Sequence, residues 1–294
     1  MSASPPVATI ALPVRNGAGT IAGVIESVLA QTHERLELVL SDNASPDDTE
    51  AICRRLAASD TRIVYHRHPA NIGLLNNFRS AAGMATGAYV RWIGDSDHLH
   101  PDYLARTLDR FAEDPRRVLV TTQVSYVDAD GVMTLDRSYD PSALSSPDPV
   151  VRLAEMLRLM TLPYTFLDPL YGLMRREVAV LPRTNLMGED QVFAARLALR
   201  GPWGHVPAVL AQRERSETPI DDLVGLLGVP GWHAHVRDLL QSRELLAHIA
   251  QAPLSGAQKW RARAAVGRLY AQRKRAKVRR GVARISPAFA AARS

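Results

Sequence analysis

The sequence predicts an α/β fold, in which a mixed, mostly parallel sheet has helices on both faces and a helical extension follows at the C-terminus. Two features of the pattern predict it. Short apolar runs alternate through the first half of the chain with longer segments whose apolar residues recur at intervals of three and four. From Asp221 onward the pattern is helical, and the chain contains no internal repeat.

The short apolar runs predict strands, because buried parallel strands are continuously apolar over four to eight residues. In chain order the predicted strands cover residues 7–12, 36–40, 62–66, 88–93, 118–127, 132–135 and 170–174. Asp130 and Gly131 predict a hairpin turn between the fifth and sixth strands. The predicted helices begin at residue 19, near residue 46, and at residues 75, 101, 150 and 189.

The first two helices have clear sequence signals. The first has apolar side chains on one face, which can pack on a sheet: Ile21, Val24, Ile25, Val28 and Leu29. The second starts after Ser45, whose hydroxyl can cap the helix, and Pro46 suits the first helical position. Asp47 and Asp48 then place negative charge at the positive end of the helix dipole.

Composition indicates an ordinary globular protein and excludes several other classes. Apolar residues make up 46% of the 294 residues and charged residues 22%, which argues against disorder, collagen and a coiled coil. The single Cys53 excludes an intrachain disulfide and a cysteine-rich zinc site. No apolar run reaches 18 residues, and residues 1–6 do not resemble a secretory signal. We therefore expect a cytoplasmic location.

The net charge of +6 is unevenly distributed along the chain. Residues 257–294 contain 12 Lys or Arg and no acidic residue, which leaves 24 basic and 30 acidic side chains in residues 1–256. The body is thus acidic and the tail basic. Two interpretations of the tail stay open, a solvated basic helix and a peripheral contact with the inner face of an anionic membrane. Nucleic acid is not expected as a partner, because the body offers no second basic patch.

Polar residues follow the predicted strands at the edge where open α/β sheets bind their ligands. After the first four strands these residues are Arg15, Asn16, Asp42, Asn43, Asn71, Gly73, Asp95, Ser96 and Asp97. Turn and capping chemistry is the alternative role for several of them. Two carboxylates at one strand end repel each other unless a cation, a shared proton or basic neighbours relieve them. This pair is therefore a candidate functional site, with a cation, a shared proton and basic neighbours as the open alternatives.

Five motifs occur in an order that resembles the family 2 glycosyltransferases of the GT-A (Rossmann-like) fold. They are residues 12–16, 41–49, 71–73, 87–101 with the Asp95-Ser96-Asp97 turn, and Gly188-Glu189-Asp190. The resemblance covers roughly residues 7–215. It implies an inverting transfer from a nucleotide-sugar donor, with UDP-sugar as the default, to an acceptor hydroxyl of a glycan, a lipid-linked saccharide or a small molecule. It also implies a divalent metal, Mg²⁺ or Mn²⁺.

The resemblance assigns donor and metal roles residue by residue. Pro13 and Arg15 would line the nucleoside pocket, and Asp42 would accept hydrogen bonds from the base. Asn71 and Gly73 would lie near the ribose and diphosphate. The other donor-binding candidates are Asn16, Asn43, Ser96 and Arg215, the last as a clamp on phosphate. Asp97 and Asp95 would hold the metal, although the family commonly has an acid at the position of Ser96.

The catalytic candidates are Asp190 and Glu189. Direct displacement at the anomeric carbon needs a base that takes the proton from the acceptor hydroxyl. By resemblance, Asp190 is this base and Glu189 positions the acceptor. Acidic residues at a first helical turn also stabilise helices without any catalytic role, so this structural interpretation stays beside the functional one.

The sequence predicts two units. Residues 1–215 form the glycosyltransferase domain, with a nucleotide-binding half over about 1–100 and an acceptor half over about 101–215, and residues 216–294 form the helical extension with the basic tail. A non-catalytic module of the same fold that binds a nucleotide or glycan is the alternative. A sugar nucleotidyltransferase is a weaker alternative, because residues 15–20 lack its long Gly- and Arg-rich phosphate loop.

Overall fold

The computed structural model describes residues 7–127, 133–135, 142–161, 169–214 and 220–291. These residues contain nine strands: β1 (Ala8–Val14), β2 (Leu36–Asp42), β3 (Ile63–Arg67), β4 (Tyr89–Trp92), β5 (His98–Leu99), β6 (Leu119–Val127), β7 (Met133–Leu135), β8 (Leu173–Arg175) and β9 (Trp203–Glu214). The hairpin turn predicted at Asp130 and Gly131 lies outside the described residues.

Eleven helices occur in the same described ranges. The first seven are α1 (Ile21–Leu29), α2 (Thr49–Ser59), α3 (Leu74–Gly83), α4 (Tyr103–Ala112), α5 (Pro149–Leu159), α6 (Arg176–Ala179) and α7 (Glu189–Arg200). The C-terminal four are α8 (Ile220–Leu227), α9 (Trp232–His235), α10 (Arg237–Gln251) and α11 (Gly256–Ala291). No helix of the described chain combines the length and the apolar character that crossing a membrane requires.

All nine described strands belong to one mixed sheet, in the order β3-β2-β1-β4-β8-β6-β9-β5, with β7 paired to β6. The strands β3, β2, β1 and β4 are parallel, and so are β6 and β9. β8 runs antiparallel between β4 and β6, and β5 is antiparallel to β9. Because most paired residues are in parallel ladders, the predicted fold class is confirmed.

Helices cover both faces of the sheet, and each face has its own apolar cluster. The first cluster packs side chains of α1, α2 and α4 against the sheet. The second packs α3, α5 and α7, together with side chains of α10 and α11. Every residue of β1 and β2 is buried, as expected for strands covered on both faces. The C-terminal extension is helical, as predicted, and it packs on the second face through α5 and α7.

The strand β9 was not predicted from the sequence. Gly204 and Pro207 interrupt its apolar pattern, and both residue types favour turns. The sheet accommodates the interruption with a bulge, since Thr122 of β6 pairs with Val206 whereas Gln123 pairs with Val209. The strand predicted at residues 170–174 is also shifted, because a 3₁₀ turn occupies Pro169–Tyr171 and β8 begins afterwards.

Stability at acid pH is expected to depend on His205 of β9. Its side chain is buried, 5% exposed, and lies 3.0 Å from the Thr121 hydroxyl; burial lowers the pKa of His205 to about 4. An unfolded histidine binds a proton near pH 6.5, so the unfolded state gains protons first as pH falls from about 6.5 to 4. The free energy of unfolding should therefore fall by up to about 3 kcal/mol over this range.

Urea titrations at pH 7 and pH 4.5 measure this effect. The His205→Gln variant should lose much less stability between the two pH values than the wild type. The matched control is His100→Gln, because the side chain of His100 is 51% exposed. A wild type and a His205→Gln variant with the same acid dependence would contradict the assignment.

Candidate active site

The loops after β1 and β2 are bound to each other at the carboxyl edge of the sheet. The Arg15 guanidinium donates to the carbonyl oxygens of Asn43 and Ala44, the latter at 2.8 Å. The backbone N–H of Asn16 donates to Ser45 Oγ at 3.0 Å. Asn16 has a φ of 60° and Ala44 a φ of 55°, so both loops turn sharply through left-handed backbone. Arg15 and Asn16 remain exposed at this edge, whereas Pro13 is buried inside β1.

Asp42 is fully buried at the end of β2, and both of its carboxylate oxygens are engaged. One oxygen accepts from the Ser45 N–H at 2.9 Å and the other from the Tyr65 hydroxyl at 2.9 Å. Arg67 Nε lies 3.4 Å from the second oxygen. Burial, with the charge of Asp42 beside it, raises the pKa of Tyr65. Asp42 therefore links the loop after β2 to β3, and each of its carboxylate oxygens has a hydrogen-bond partner among the described residues.

A pair of asparagines joins the loop after β3 to the end of β2. Asn43 is buried, its Nδ2 donates to Asn71 Oδ1 at 2.8 Å, and its Oδ1 accepts from the Ile72 N–H at 2.7 Å. Asn71 Oδ1 also accepts from the Gly73 N–H at 2.9 Å. Gly73 precedes α3 with a φ of 86°, which favours glycine. The structure thus brings these three predicted residues together, with Asn71 exposed and Asn43 behind it.

The acidic turn after β4 has one carboxylate that is hydrogen-bonded inside the protein and one that is half-buried with a raised pKa. Asp97 is 2% exposed, and its Oδ2 accepts from the Gly94 N–H at 3.0 Å. Arg213 of β9 approaches Asp97 Oδ1 to 3.3 Å. Asp95 is half-buried, and burial raises its pKa, with further contributions from the charges of Asp97 and Glu214. Ser96 lies between the two acids at the tip of the turn.

The residues of this turn fit a divalent cation whose shell is completed by phosphate. Within the described ranges, no group of three or more His, Cys, Asp or Glu side chains is arranged to hold a metal. Mg²⁺ in nucleotide-dependent enzymes commonly takes one or two carboxylates together with phosphate oxygens. A cation there would also stabilise the ionised form of Asp95, whose pKa is raised first by burial and then by the charges of Asp97 and Glu214. Asp95 and Asp97 are the residues that would hold it.

Arg213 connects the acidic turn to a cavity. Its guanidinium lies 3.7 Å from the ring centre of Tyr171, besides the contact with Asp97. Arg213 and Tyr171 both line a cavity of about 380 Å³. Arg215, which the sequence suggested as a phosphate clamp, lies outside the described residues. Arg213, from the same stretch of sequence, is the arginine that the described structure brings to the acidic turn.

The cavity contains both predicted catalytic residues. Its polar wall is formed by Arg183, Gly188, Glu189, Asp190, Gln191, Arg213 and Arg237. Its remaining wall is formed by Leu74, Leu75, Phe78, Leu170, Tyr171, Leu186, Leu223 and Leu227. The cavity therefore combines one acidic pair and three arginines with a predominantly leucine surface.

The two acids at the start of α7 have different environments. Glu189 is 6% exposed, and its carboxylate accepts two hydrogen bonds from the buried Arg183, one of them at 2.7 Å from Nε. Asp190 faces the cavity, and burial raises its pKa with help from the Glu189 charge, while Arg183 and Arg237 act in the opposite direction. Both acids line the cavity, but Glu189 is held in an ion pair with Arg183, whereas no ion pair is described for Asp190.

Gly188 is required by the shape of the loop before α7. Its φ is 77°, in the left-handed region, and a Cβ there would collide with the Gln241 amide. Gly188→Ala is therefore expected to lower the free energy of unfolding by about 2 kcal/mol and to displace Asp190. Thermal melts and turnover measure the two effects. Gly267→Ala in α11, where a Cβ meets no atom within 4 Å, is the control and should not destabilise the protein; equal effects of the two variants would contradict the interpretation.

Sequence reasoning missed several residues of this site. Arg183 occupies a loop rich in polar residues, with no pattern that marks it as the partner of Glu189. Arg237 and Gln241 belong to a helix that begins nearly fifty residues after Asp190. Of the two arginines in residues 212–215, Arg215 was the predicted phosphate clamp and Arg213 was not, because β9, which contains Arg213, was not predicted.

The fold and the site define a class before any comparison with known proteins. An α/β protein with a mixed, mostly parallel sheet, polar loops at the carboxyl edge of its parallel strands and an acidic turn there has a GT-A-like fold. Solved structures agree on the fold. Residues 1–349 of S. aureus TarS in complex with UDP match with a TM-score of 0.61 at 16% identity, over 86% of this chain and 68% of that one. The mannosyltransferase PcManGT from Pyrobaculum calidifontis, in complex with GDP-Man and Mn²⁺, matches with a TM-score of 0.55 at 18% identity, over 90% and 70%.

The family follows from the sequence match. The family model described as glycosyl transferase family 2 matches residues 9–180, more than half of the chain, and the chain therefore belongs to this family. Glycosyltransferase GlyA of Streptococcus pneumoniae is 24% identical over 124 residues, which are 42% of this chain and 18% of GlyA. Chondroitin synthase of Pasteurella multocida is 29% identical over 126 residues, 43% of this chain and 13% of the synthase. The chain thus spans less than a fifth of the length of these two relatives.

Proposed function

We propose that this chain transfers a sugar from a nucleotide-sugar donor to an acceptor hydroxyl, with inversion at the anomeric carbon, in a reaction assisted by Mg²⁺ or Mn²⁺. One observation carries the proposal. Asp190 lines a cavity, and Arg213 on the wall of that cavity contacts the acidic turn at Asp97. A base and a candidate metal and phosphate site are therefore connected by one side chain.

On this proposal, Asp190 accepts the proton of the acceptor hydroxyl as the oxygen attacks the anomeric carbon. Glu189, held by Arg183, fixes the first turn of α7 and so the direction of the Asp190 side chain. The leaving nucleoside diphosphate carries the negative charge that develops when the glycosidic bond breaks. A bound cation would stabilise that charge, and Arg213 is placed to do the same by charge-assisted hydrogen bonding.

The donor side lies at the exposed loops after β1 and β3. Arg15 and Asn16 are exposed there, and Asn71 and Gly73 form the opposite rim; Asn43 and Asp42 support these loops from inside. The solved structures of TarS include complexes with UDP and with UDP-GlcNAc, and that of PcManGT contains GDP-Man and Mn²⁺. We propose a nucleotide sugar as the donor of this chain, with UDP-sugar as the first candidate and GDP-sugar as the second.

Isothermal titration of UDP, GDP, UDP-GlcNAc and GDP-Man, each with and without Mn²⁺, tests the donor proposal. We expect one nucleobase to bind more tightly than the other, with an affinity that rises when Mn²⁺ is present. Absence of binding by every nucleotide in both conditions would contradict the proposal. A matched nucleoside without phosphates, added at the same concentrations, separates recognition of the base from recognition of the diphosphate.

For the acceptor, we propose a lipid-linked saccharide among the three classes that the family resemblance allows. Six leucines and Phe78 line one part of the cavity, and Arg237 adds a cation that influences Asp190. This combination suits an acceptor with an apolar portion beside a phosphate group. Transfer rates to an alkyl-diphosphate-linked sugar, to the matching neutral alkyl glycoside and to the free sugar test the choice. Equal rates with all three would contradict it.

We also propose a peripheral contact of the basic tail with an anionic membrane. In α11 the side chain of Trp260 is 72% exposed and is surrounded in sequence by Lys259, Arg261 and Arg263. Exposed tryptophan among basic residues favours the interface of anionic bilayers. Sedimentation with phosphatidylglycerol vesicles should deplete the protein from solution more than sedimentation with phosphatidylcholine vesicles, and Trp260→Ala should weaken the difference. Equal sedimentation with both vesicles would favour the solvated helix.

A further inference from the structure

The two longest C-terminal helices contact the loop that carries the proposed base. Gln241 of α10 is 3% exposed, and its Nε2 donates to the carbonyl oxygen of Gly188 at 2.9 Å. The same Nε2 lies 3.2 Å from Gln191 Oε1. Gly188 and Gln191 are the residues on either side of the Glu189-Asp190 pair. One buried amide of the extension is therefore bonded to the loop both before and after the two acids.

Arg273 of α11 holds this amide in place. Its Nη1 donates to Gln241 Oε1 at 2.6 Å, and its Nη2 donates to Gln191 Oε1 at 3.0 Å. Nη1 also lies 3.2 Å from Asp238 Oδ1, which supplies a countercharge on α10. With its oxygen bound to Arg273, the Gln241 amide can direct only its NH₂ group toward Gly188. Arg273 thereby sets the orientation of Gln241 and contacts the loop directly as well.

Because Arg273 is buried, stabilisation of the fold alone explains its presence poorly. The side chain is 14% exposed, and burial lowers the pKa of its guanidinium. Replacing a buried ion pair with apolar side chains is often neutral or stabilising, so such a pair is weak support for a stability role. A planar guanidinium does, however, fix the angle between several acceptors at once. The arrangement therefore suits a group that must hold a geometry.

We propose that Gln241 and Arg273 are positioning residues for Asp190, so that the C-terminal extension is part of the catalytic apparatus. The inference rests on the proposed function, because it assigns Asp190 the role of base. Arg183 fixes Glu189 from one side of the loop, and the pair Arg273 and Gln241 fixes Gly188 and Gln191 from the other. A base held in this way stays within reach of the acceptor hydroxyl. Small displacements of a catalytic group are known to cost large factors in rate.

Kinetics of three variants test the proposal. The variants are Arg273→Ala, Gln241→Ala and Arg273→Lys, and the matched control is Arg243→Ala, which removes an exposed arginine of α10 two residues after Gln241. Hydrolysis of UDP-GlcNAc or GDP-Man in the presence of Mn²⁺, with water as the sugar acceptor, releases nucleoside diphosphate and gives kcat and KM. We expect kcat to fall about 10- to 100-fold in the two alanine variants, with the donor KM within twofold of the wild type. Arg273→Lys, which keeps a cation beside Asp238, should recover part of kcat, and Arg243→Ala should behave like the wild type.

Thermal melts and hydrogen exchange separate positioning from folding. Turnover is compared only at temperatures at which every variant is folded, and the amides of residues 188–192 should exchange faster in Arg273→Ala than in Arg243→Ala. Unchanged kcat and unchanged exchange in the folded alanine variants would overturn the inference while leaving the proposed function intact. If the wild type neither binds nor turns over a nucleotide sugar, the proposed function fails, and the exchange rates still decide whether Arg273 and Gln241 hold this loop.

Discussion

Replacement of Asp190 with asparagine is expected to lower turnover by about 10²- to 10⁴-fold, the range that general-base catalysis commonly contributes. Asparagine preserves the size of the side chain and its position at the start of α7, but it cannot accept the acceptor proton. Nucleotide affinity should change little, because the donor loops after β1 to β3 do not include Asp190. Steady-state kinetics and titration with UDP or GDP measure the two quantities separately.

The control for this substitution is Asp114→Asn, which removes an ion pair with Arg116; neither residue lines the cavity. It should retain wild-type turnover. Wild-type turnover in Asp190→Asn itself would contradict the assignment of the base. A wild type that binds nucleotide but releases no sugar under any condition would instead favour the non-catalytic binding module.

The pH dependence of turnover tests the role of Asp190 without any substitution. Asp190 must be ionised to accept a proton, and burial raises the pKa of its carboxyl. Turnover should therefore be full above this raised pKa and should fall as pH decreases through it, at a higher pH than for an ordinary aspartate. The acid limb of a kcat profile measures it, since that limb reports groups in the complex with substrate. An acid limb at the ordinary aspartate value would argue that Asp190 is not the titrating base.

Substitution of the two aspartates in the acidic turn is expected to have the second large effect, in this case on the affinity for nucleotide. Asp97→Asn and Asp95→Asn should each remove at least about tenfold of the nucleotide affinity that Mn²⁺ adds, because each takes a charged oxygen ligand from the proposed site. Asp97→Asn should have the larger effect, since it also deprives Arg213 of a carboxylate partner at 3.3 Å. Isothermal titration with and without Mn²⁺ isolates the metal-dependent part of the affinity.

Asp102→Asn is the matched control for the acidic turn, because that carboxylate follows the turn by five residues and is 48% exposed. It should keep the Mn²⁺ effect. In the presence of EDTA, the wild type and the Asp95→Asn variant should bind nucleotide with similar affinity. A Mn²⁺ effect that survives in both Asp95→Asn and Asp97→Asn would place the metal elsewhere or remove it from the mechanism.

The parallel half of the sheet was predictable because the burial of each strand determines the residue types within that same strand. β1 and β2 are buried on both faces, so they occur in the sequence as continuous apolar runs, and the helices between strands show one apolar stripe each. The second half was less predictable. β9 includes Gly204 and Pro207, two residue types that disfavour strands. The strand continues through them because the sheet forms a bulge opposite Thr122 and Gln123, and a bulge of this kind depends on the assembled sheet.

The same distinction applies to the site, where some features follow from the local sequence and others arise only in the folded structure. The polar residues at strand ends were accessible to sequence reasoning, because parallel strands place their carboxyl ends at one edge. The sequence did not show which of these residues are buried and which are exposed. Asp42 and Asn43 are directed inward and support the loops, whereas Arg15 and Asn71 are exposed. Arg183, Gln241 and Arg273 were missed because their roles arise from contacts that no spacing in the chain encodes.

The configuration of the transferred sugar tests the central claim most directly. Proton NMR of a reaction that contains wild-type protein, Mn²⁺, the nucleotide sugar selected by titration and an alkyl-diphosphate-linked acceptor would follow the anomeric signals of donor and product. Direct displacement with Asp190 as base predicts a product whose anomeric configuration is opposite to that of the donor, formed together with free nucleoside diphosphate. A product with the donor's configuration, or nucleotide binding without any product, would contradict the account.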